Sequence, residues 1–231
     1  MDHLDPSVWF ALFKIVWADL LLSGDNAVVI ALATRQLPPR QQRHAIIGGA
    51  AAAIVMRVLL ALFAIELLQL PGLKLVGAAL LVWIGIKLMS QGEEEAQVRE
   101  AGGLWAAVRT ILLADLAMSL DNVVAIAAAA SAAPAPMRPV LLAVGLGLSI
   151  PLIIFGSTVL LKLMERVPAI ITLGAALLGF VAGEMATTDV LVHDWVQAHL
   201  HDLDYTVSLL GAVTVVALGL ARARRQKAGA A

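Results

Sequence analysis

Asp19-Leu-Leu-Leu-Ser23-Gly24-Asp25-Asn26-Ala-Val-Val lies inside the first long apolar run of the chain. Asp115-Leu-Ala-Met-Ser119-Leu120-Asp121-Asn122-Val-Val-Ala lies inside the fourth. Both read D-x3-S-x-D-N, 96 residues apart. A second match, Gly77-Ala-Ala-Leu-Leu with Gly174-Ala-Ala-Leu-Leu, joins the third and sixth runs at an offset of 97. Two matches at nearly one offset indicate duplication of a three-helix unit. Three crossings are an odd number, so the copies enter a membrane in opposite orientations. Many transporters are built on this inverted-repeat plan, with the site at the repeat interface near the bilayer midplane.

The composition around the motifs fits that plan. Of 231 residues, 61% are hydrophobic and 14% charged, whereas a soluble domain is about half apolar and about a quarter charged. Mean hydropathy is +0.90. One soluble core of this size cannot absorb such an excess, and a disordered chain would not carry it. The net charge of -1 provides no basic field for nucleic acid. Cysteine is absent, which removes disulfides, thiolate nucleophiles and soft thiolate metal ligands. A bound metal must then be held by oxygen or by histidine. The acidic start, Met1-Asp2-His3-Leu4-Asp5, differs from the basic start of a secretory signal. The first apolar run is therefore expected to remain in the mature protein.

Seven apolar segments follow one another: Val8–Ala33, Ala45–Leu68, Leu73–Met89, Leu104–Ala133, Val140–Leu161, Ala169–Met185 and Tyr205–Ala221. A spanning helix takes about 20 residues. The first and fourth segments exceed that and are expected to be tilted or broken. Pro38-Pro39, Pro71-Gly72, Pro134, Pro136, Pro139 and Pro168 fall between segments, where helix breakers belong. Pro151 falls inside the fifth and predicts a kink there.

With the N-terminus outside, the Lys and Arg residues fall on the cytoplasmic side except for Lys14, Arg57, Lys74 and Arg138. That bias supports seven spans, an extracytoplasmic N-terminus and a cytoplasmic C-terminus. The expected fold is an all-α polytopic membrane protein with seven transmembrane helices. Two inverted three-helix repeats occupy 1–90 and 104–186. A cytoplasmic linker at 91–103 joins them, an extracytoplasmic loop spans 187–204, and a seventh helix with a basic tail fills 205–231.

Asp19, Ser23 and Asn26 are spaced i, i+4, i+7 and share one face of a helix, as do Asp115, Ser119 and Asn122. Asp25 and Asp121 fall on another side of an ideal helix. Convergence of all four carboxylates requires local unwinding, which Gly24 permits in the first copy and Leu120 does not assist in the second. Each Asp at mid-span costs about 2.5–3.5 kcal/mol on insertion scales. Protonation, pairing with Arg57, water or a bound cation are the available offsets. Carboxylate, hydroxyl and amide oxygens suit hard divalent ions such as Mg²⁺, Ca²⁺ and Mn²⁺. The same carboxylates can take up protons when the cation leaves. Interhelical hydrogen bonding is the bland alternative, and it fits a lone Ser or Asn better than a duplicated cluster with four Asp.

These motifs and the seven-span plan resemble the TerC family of integral membrane proteins, in particular its short bacterial members. The resemblance implies an inner-membrane exporter of Mn²⁺ from the cytoplasm. Carried over by position, it implies Asp19, Asp25, Asn26, Asp115, Asp121 and Asn122 as cation ligands, with Ser23 and Ser119 as helpers. Arg57, within the second segment, is expected to act as a tethered counter-charge. Glu184 near the end of the sixth, with Asp189, is a candidate guide for cations at the outer mouth, against a simpler reading as a solvated helix end. Glu66 is also at a segment end. His193, Asp194, His199, His201, Asp202 and Asp204 form either a metal-capturing patch or one side of an amphipathic surface helix with Trp195, Val196 and Leu200.

The expected partners are the divalent cation and membrane lipid, without nucleic acid and with self-association left open. No enzymatic activity is expected. Two other classes compete: an intramembrane aspartyl hydrolase, in which two carboxylates share a proton, and a membrane-protein insertion or assembly factor. Against the hydrolase, a Gly-x-Gly-Asp sequence is absent and the second copy carries Leu120.

Overall fold

The computed structural model describes residues 6–63, 70–90, 103–131, 133–200 and 204–229. All regular structure among them is helical: α1 (Pro6–Leu22), α2 (Gly24–Thr34), α3 (Pro39–Leu62), α4 (Leu73–Ser90), α5 (Gly103–Ser131), a 3-10 turn (Ala135–Met137), α6 (Arg138–Arg166), α7 (Ala169–Thr187), α8 (His193–Leu200) and α9 (Asp204–Gly229). Six of these are long and apolar enough to cross a membrane, and α1 with α2, bent by 50°, make a seventh if the pair is one broken span. The chain is an all-α polytopic membrane protein.

Local chemistry places the ends. Proline opens α3 at Pro39 and α6 at Pro139, where its fixed φ suits the first turn and its missing N–H costs nothing. Gly72 has φ 82°, a conformation that glycine adopts without strain, and it turns the chain into α4. Side chains such as Leu152, Phe155 and Val213 are exposed on the helices, as lipid contact allows.

The packing repeats itself. A Cβ on Gly49 of α3 would lie 2.8 Å from Ile111 Cδ1 on α5, and a Cβ on Gly145 of α6 would lie 2.6 Å from Ile15 Cγ2 on α1. Both residues of the second contact are related to those of the first by the 96-residue offset of the motifs. One close helix approach is thus built twice, with the roles of the two copies exchanged. The last crossing in chain order, α9, lies on α7 and α4. Gly183 brings α7 against the backbone of α9, where a Cβ would lie 2.6 Å from Ser208 Cα. Small residues permit such approaches where no hydrophobic force drives helices together.

Of the two long segments, the first is broken and the fourth is not. The long α6 continues through Pro151, and α5 is continuous over all of Gly103–Ser131. The break falls at Ser23, between α1 and α2. Between α7 and α9 the chain forms the short helix α8, with Val196 buried and Trp195 exposed. Glu66 and the linker residues 91–102 lie outside the described residues.

Candidate ion site

Asp19 and Asp115 are both buried near the middle of their crossings. Each accepts a hydrogen bond from the serine one turn later, as i, i+4 spacing dictates: Ser23 Oγ donates to Asp19 Oδ1 at 3.0 Å, and Ser119 Oγ to Asp115 Oδ2 at 3.3 Å. Between them stands Arg57 of α3, itself 3% exposed. Its Nη1 donates to Asp19 Oδ1 at 2.5 Å and to Ser23 Oγ at 2.6 Å. Its Nε donates to Asp115 Oδ1 at 3.0 Å, and Nη2 bonds the same oxygen. The residue 96 positions after Arg57 is Ile153, so one guanidinium serves both copies of the motif. A fixed planar fork suits this double task better than a lysine point charge does.

The break beside this cluster has a hydrogen-bond explanation. In a continuous helix the Asn26 N–H would donate to the Leu22 carbonyl. Here the Asn26 N–H donates to Asp25 Oδ1 at 2.8 Å, and the Leu22 carbonyl accepts from Asn122 Nδ2 at 3.2 Å. Both halves of the missing helical bond are replaced by side chains of the two Asp-Asn pairs. Gly24 is not the cause. Its φ is not positive, and a Cβ there would meet nothing within 4 Å.

The exchange is not reciprocal. Asn26 is buried with neither amide atom hydrogen-bonded among the described residues, and Asp19 Oδ2 has no partner among them either. Asn26, Arg57 and Asp115 line a cavity of about 10 Å³ with Val29, Ile30, Ala50, Ala53, Ile54, Ile111 and Ile153. That is close to the least space that holds one water.

The remaining two motif carboxylates lie apart from this cluster. Asp121 pairs with Lys74 at the start of α4, Nζ to Oδ1 at 2.6 Å, and Lys74 also donates to Thr188 Oγ1 at 3.1 Å. Asp25 is half-buried at the first turn of α2 and makes no ion pair among the described residues. No three acidic or histidine side chains among the described residues stand close enough together to hold one metal ion. In this conformation the six candidate ligands are therefore divided among the Arg57 cluster, the helix break and the Lys74 pair.

Glu184 is exposed on α7. Asp189 is not an open guide for cations. It is buried and accepts backbone N–H groups from Leu191 at 2.9 Å, Gly72 at 3.0 Å, Lys74 at 3.0 Å and Leu75 at 3.2 Å. Burial pushes its carboxyl up, but the four N–H groups outweigh this and hold it below the usual carboxylate range. His193 and Asp194 are exposed on α8; the side chains of His199 and Asp204, and residues His201 and Asp202, lie outside the described residues. Sequence reasoning missed Lys74 and Thr188. The available signal was Lys74's position on the side of the membrane that holds few basic residues.

The model of the integral membrane protein TerC family matches residues 4–227. The chain belongs to the TerC family. It is 41% identical over 179 residues to the uncharacterized membrane protein YjbE of Bacillus subtilis, covering 78% of this chain and 80% of that one. It is 30% identical to YceF of the same organism over 192 residues, 79% and 72% of the two chains. The inner membrane protein YgdQ of Escherichia coli is 28% identical over 159 residues, 61% and 67%. No solved structure matches.

Proposed function

We propose that this TerC family member is a secondary transporter that exports a divalent metal cation, with Mn²⁺ as its principal cargo, from the cytoplasm. In this reading the N-terminus is extracytoplasmic, the C-terminus is cytoplasmic and protons are the counter-flow. The observation that carries it is the pair of repeat-related buried carboxylates, Asp19 and Asp115, whose one ion-pair partner among the described residues is Arg57. One guanidinium leaves two carboxylates one positive charge short of neutrality, and a divalent cation that displaces it makes up the difference. Isolated ionised groups at this depth are costly, so exchange of one cation for another is favoured over a bare site.

The oxygens that receive the cargo are those of Asp19, Asp115 and the Asn26 amide; Asp19 Oδ2 and Asn26 Oδ1 have no partner among the described residues, and the other carboxylate oxygens are bonded by Arg57 and the two serines. The C-terminal carbonyls of α1 add the negative end of a half-helix, an arrangement used by transporters with broken helices. Asn122 releases the Leu22 carbonyl when it withdraws. Asp25 and Asp121, one on each side of the cluster, receive and discharge the ion. When the ion leaves, Arg57 or protons take its place. The donor set is all oxygen, in keeping with a hard ion. An aspartyl hydrolase would need its two carboxylates face to face over one shared proton, and here an arginine stands between Asp19 and Asp115.

The test is metal uptake into inverted membrane vesicles holding the full chain, across Mn²⁺, Ca²⁺, Mg²⁺ and other divalent ions, with internal pH followed. Mn²⁺ accumulation with opposite proton flow is expected. Asp25→Asn and Asp121→Asn should each abolish it. Full export by both variants would overturn the reading.

A further inference from the structure

We infer that Lys74 is the outer gate of the pathway, a tethered ammonium that occupies the Asp121 carboxylate in place of the cargo and is displaced when the ion leaves. The inference rests on the export reading above. With the N-terminus outside, α4 begins and α7 ends at the outer face, and Asp121 lies outward of Asp115 on α5. Lys74 Nζ meets Asp121 at 2.6 Å and Thr188 at 3.1 Å, so one side chain ties α4, α5 and the end of α7 together at that face. Asp189 fixes where this side chain starts. It binds the N–H of Lys74 and those of Gly72 and Leu75, which pins the first turn of α4 to the end of α7.

The second repeat holds no equivalent device. Gly77 and Gly174 set the register of α4 and α7, and three residues before each stand Lys74 and Ile171. Asp25, the repeat partner of Asp121, makes no ion pair among the described residues. The outer carboxylate is therefore capped by a cation of the protein itself, whereas its inner counterpart has no ion pair among the described residues. Lys74 and Asp121 are partly exposed, at 18% and 33%. The pair is thus accessible enough to open and be re-formed within a transport cycle. A capped outer carboxylate beside an unpaired inner one fits the state in which an exporter takes up its load.

The chain has no cysteine, so a single engineered one reports access without background. Met118 on α5 is buried one turn inward of Asp121. In the full chain carrying Met118→Cys, reconstituted in liposomes, labelling by a membrane-impermeant thiol reagent from the outer side is followed together with Mn²⁺ transport. Lys74→Gln and Asp121→Asn should each speed outer labelling at least about tenfold, within the usual range of a coupling between two states. Lys74→Arg should keep it slow, and the exchanged pair Lys74→Asp with Asp121→Lys should restore slow labelling, which separates a gate from misfolding. Unchanged labelling in Lys74→Gln and Asp121→Asn, or fast labelling in the exchanged pair, would overturn the gate. Labelling needs no transport, so slow-to-fast switching without any divalent flux would sink the export reading and leave the closure standing.

Discussion

Asp19 and Asp115 stand 96 positions apart in the sequence and bind the same guanidinium, that of Arg57. Removal of that group leaves two buried carboxylates uncompensated. Arg57→Met should therefore cost about 3–5 kcal/mol, the usual result of breaking a buried ion pair from one side. Adding Asp19→Asn or Asp115→Asn should recover part of the loss, because each removes one orphaned charge. Thermal unfolding of the purified protein in detergent checks both. Additive losses would show that the three side chains do not act as a unit.

The break between α1 and α2 gives a second prediction. Asn122→Ala deletes the donor that satisfies the Leu22 carbonyl. It should lower stability by about 1 kcal/mol and, if the proposed ion path runs along the broken helix, should reduce export more than stability accounts for. Gly24→Ala should be tolerated, within about 1 kcal/mol of the parent, because the added methyl meets open space and no positive φ is needed. Melting temperature and Mn²⁺ uptake measured side by side distinguish the two.

Glycine substitutions separate two kinds of close approach. A methyl at Gly145 meets the side chain of Ile15, whereas one at Gly183 meets the backbone of Ser208 and Val207. Both single changes should destabilise by about 1–3 kcal/mol as overpacking does. Ile15→Ala should relieve Gly145→Ala, giving a double variant more stable than the sum of the two. Trimming Ser208 should not relieve Gly183→Ala, since backbone cannot be trimmed. A double-mutant cycle on unfolding free energies reads the difference.

Asp189 sets a pH dependence outside the crossings. Its folded-state carboxyl is held below the ordinary value, so the unfolded chain takes up the proton first as pH falls. The contribution is present in full at neutral pH and is lost as the pH drops below about 4, the ordinary Asp value. Asp189→Ala removes the acceptor of four N–H groups and should cost about 1–2 kcal/mol at neutral pH, as loss of a helix cap does. The difference between parent and variant should shrink in acid. Melting curves from pH 7 to pH 3 test the sign, and a gap that widens in acid would refute it.

The sequence by itself determined the solvent and the plan. An apolar excess with so few charges admits only a membrane chain, and periodic runs of about spanning length became helices because every backbone group in lipid must be bonded within its own segment. The 96-residue offset marks the repeat in the sequence, and the Gly49–Ile111 and Gly145–Ile15 approaches obey the same offset. Only the tertiary structure decided how the acidic residues are shared out. Helical spacing predicts the Ser23–Asp19 and Ser119–Asp115 bonds, which are local. It cannot predict that one arginine reaches both copies, that Asn122 takes the carbonyl freed at Leu22, or that Lys74 covers Asp121. Those pairings join residues 34 to 100 positions apart, and they exist because helix packing brings distant side chains into a medium where a polar group cannot be left without a partner.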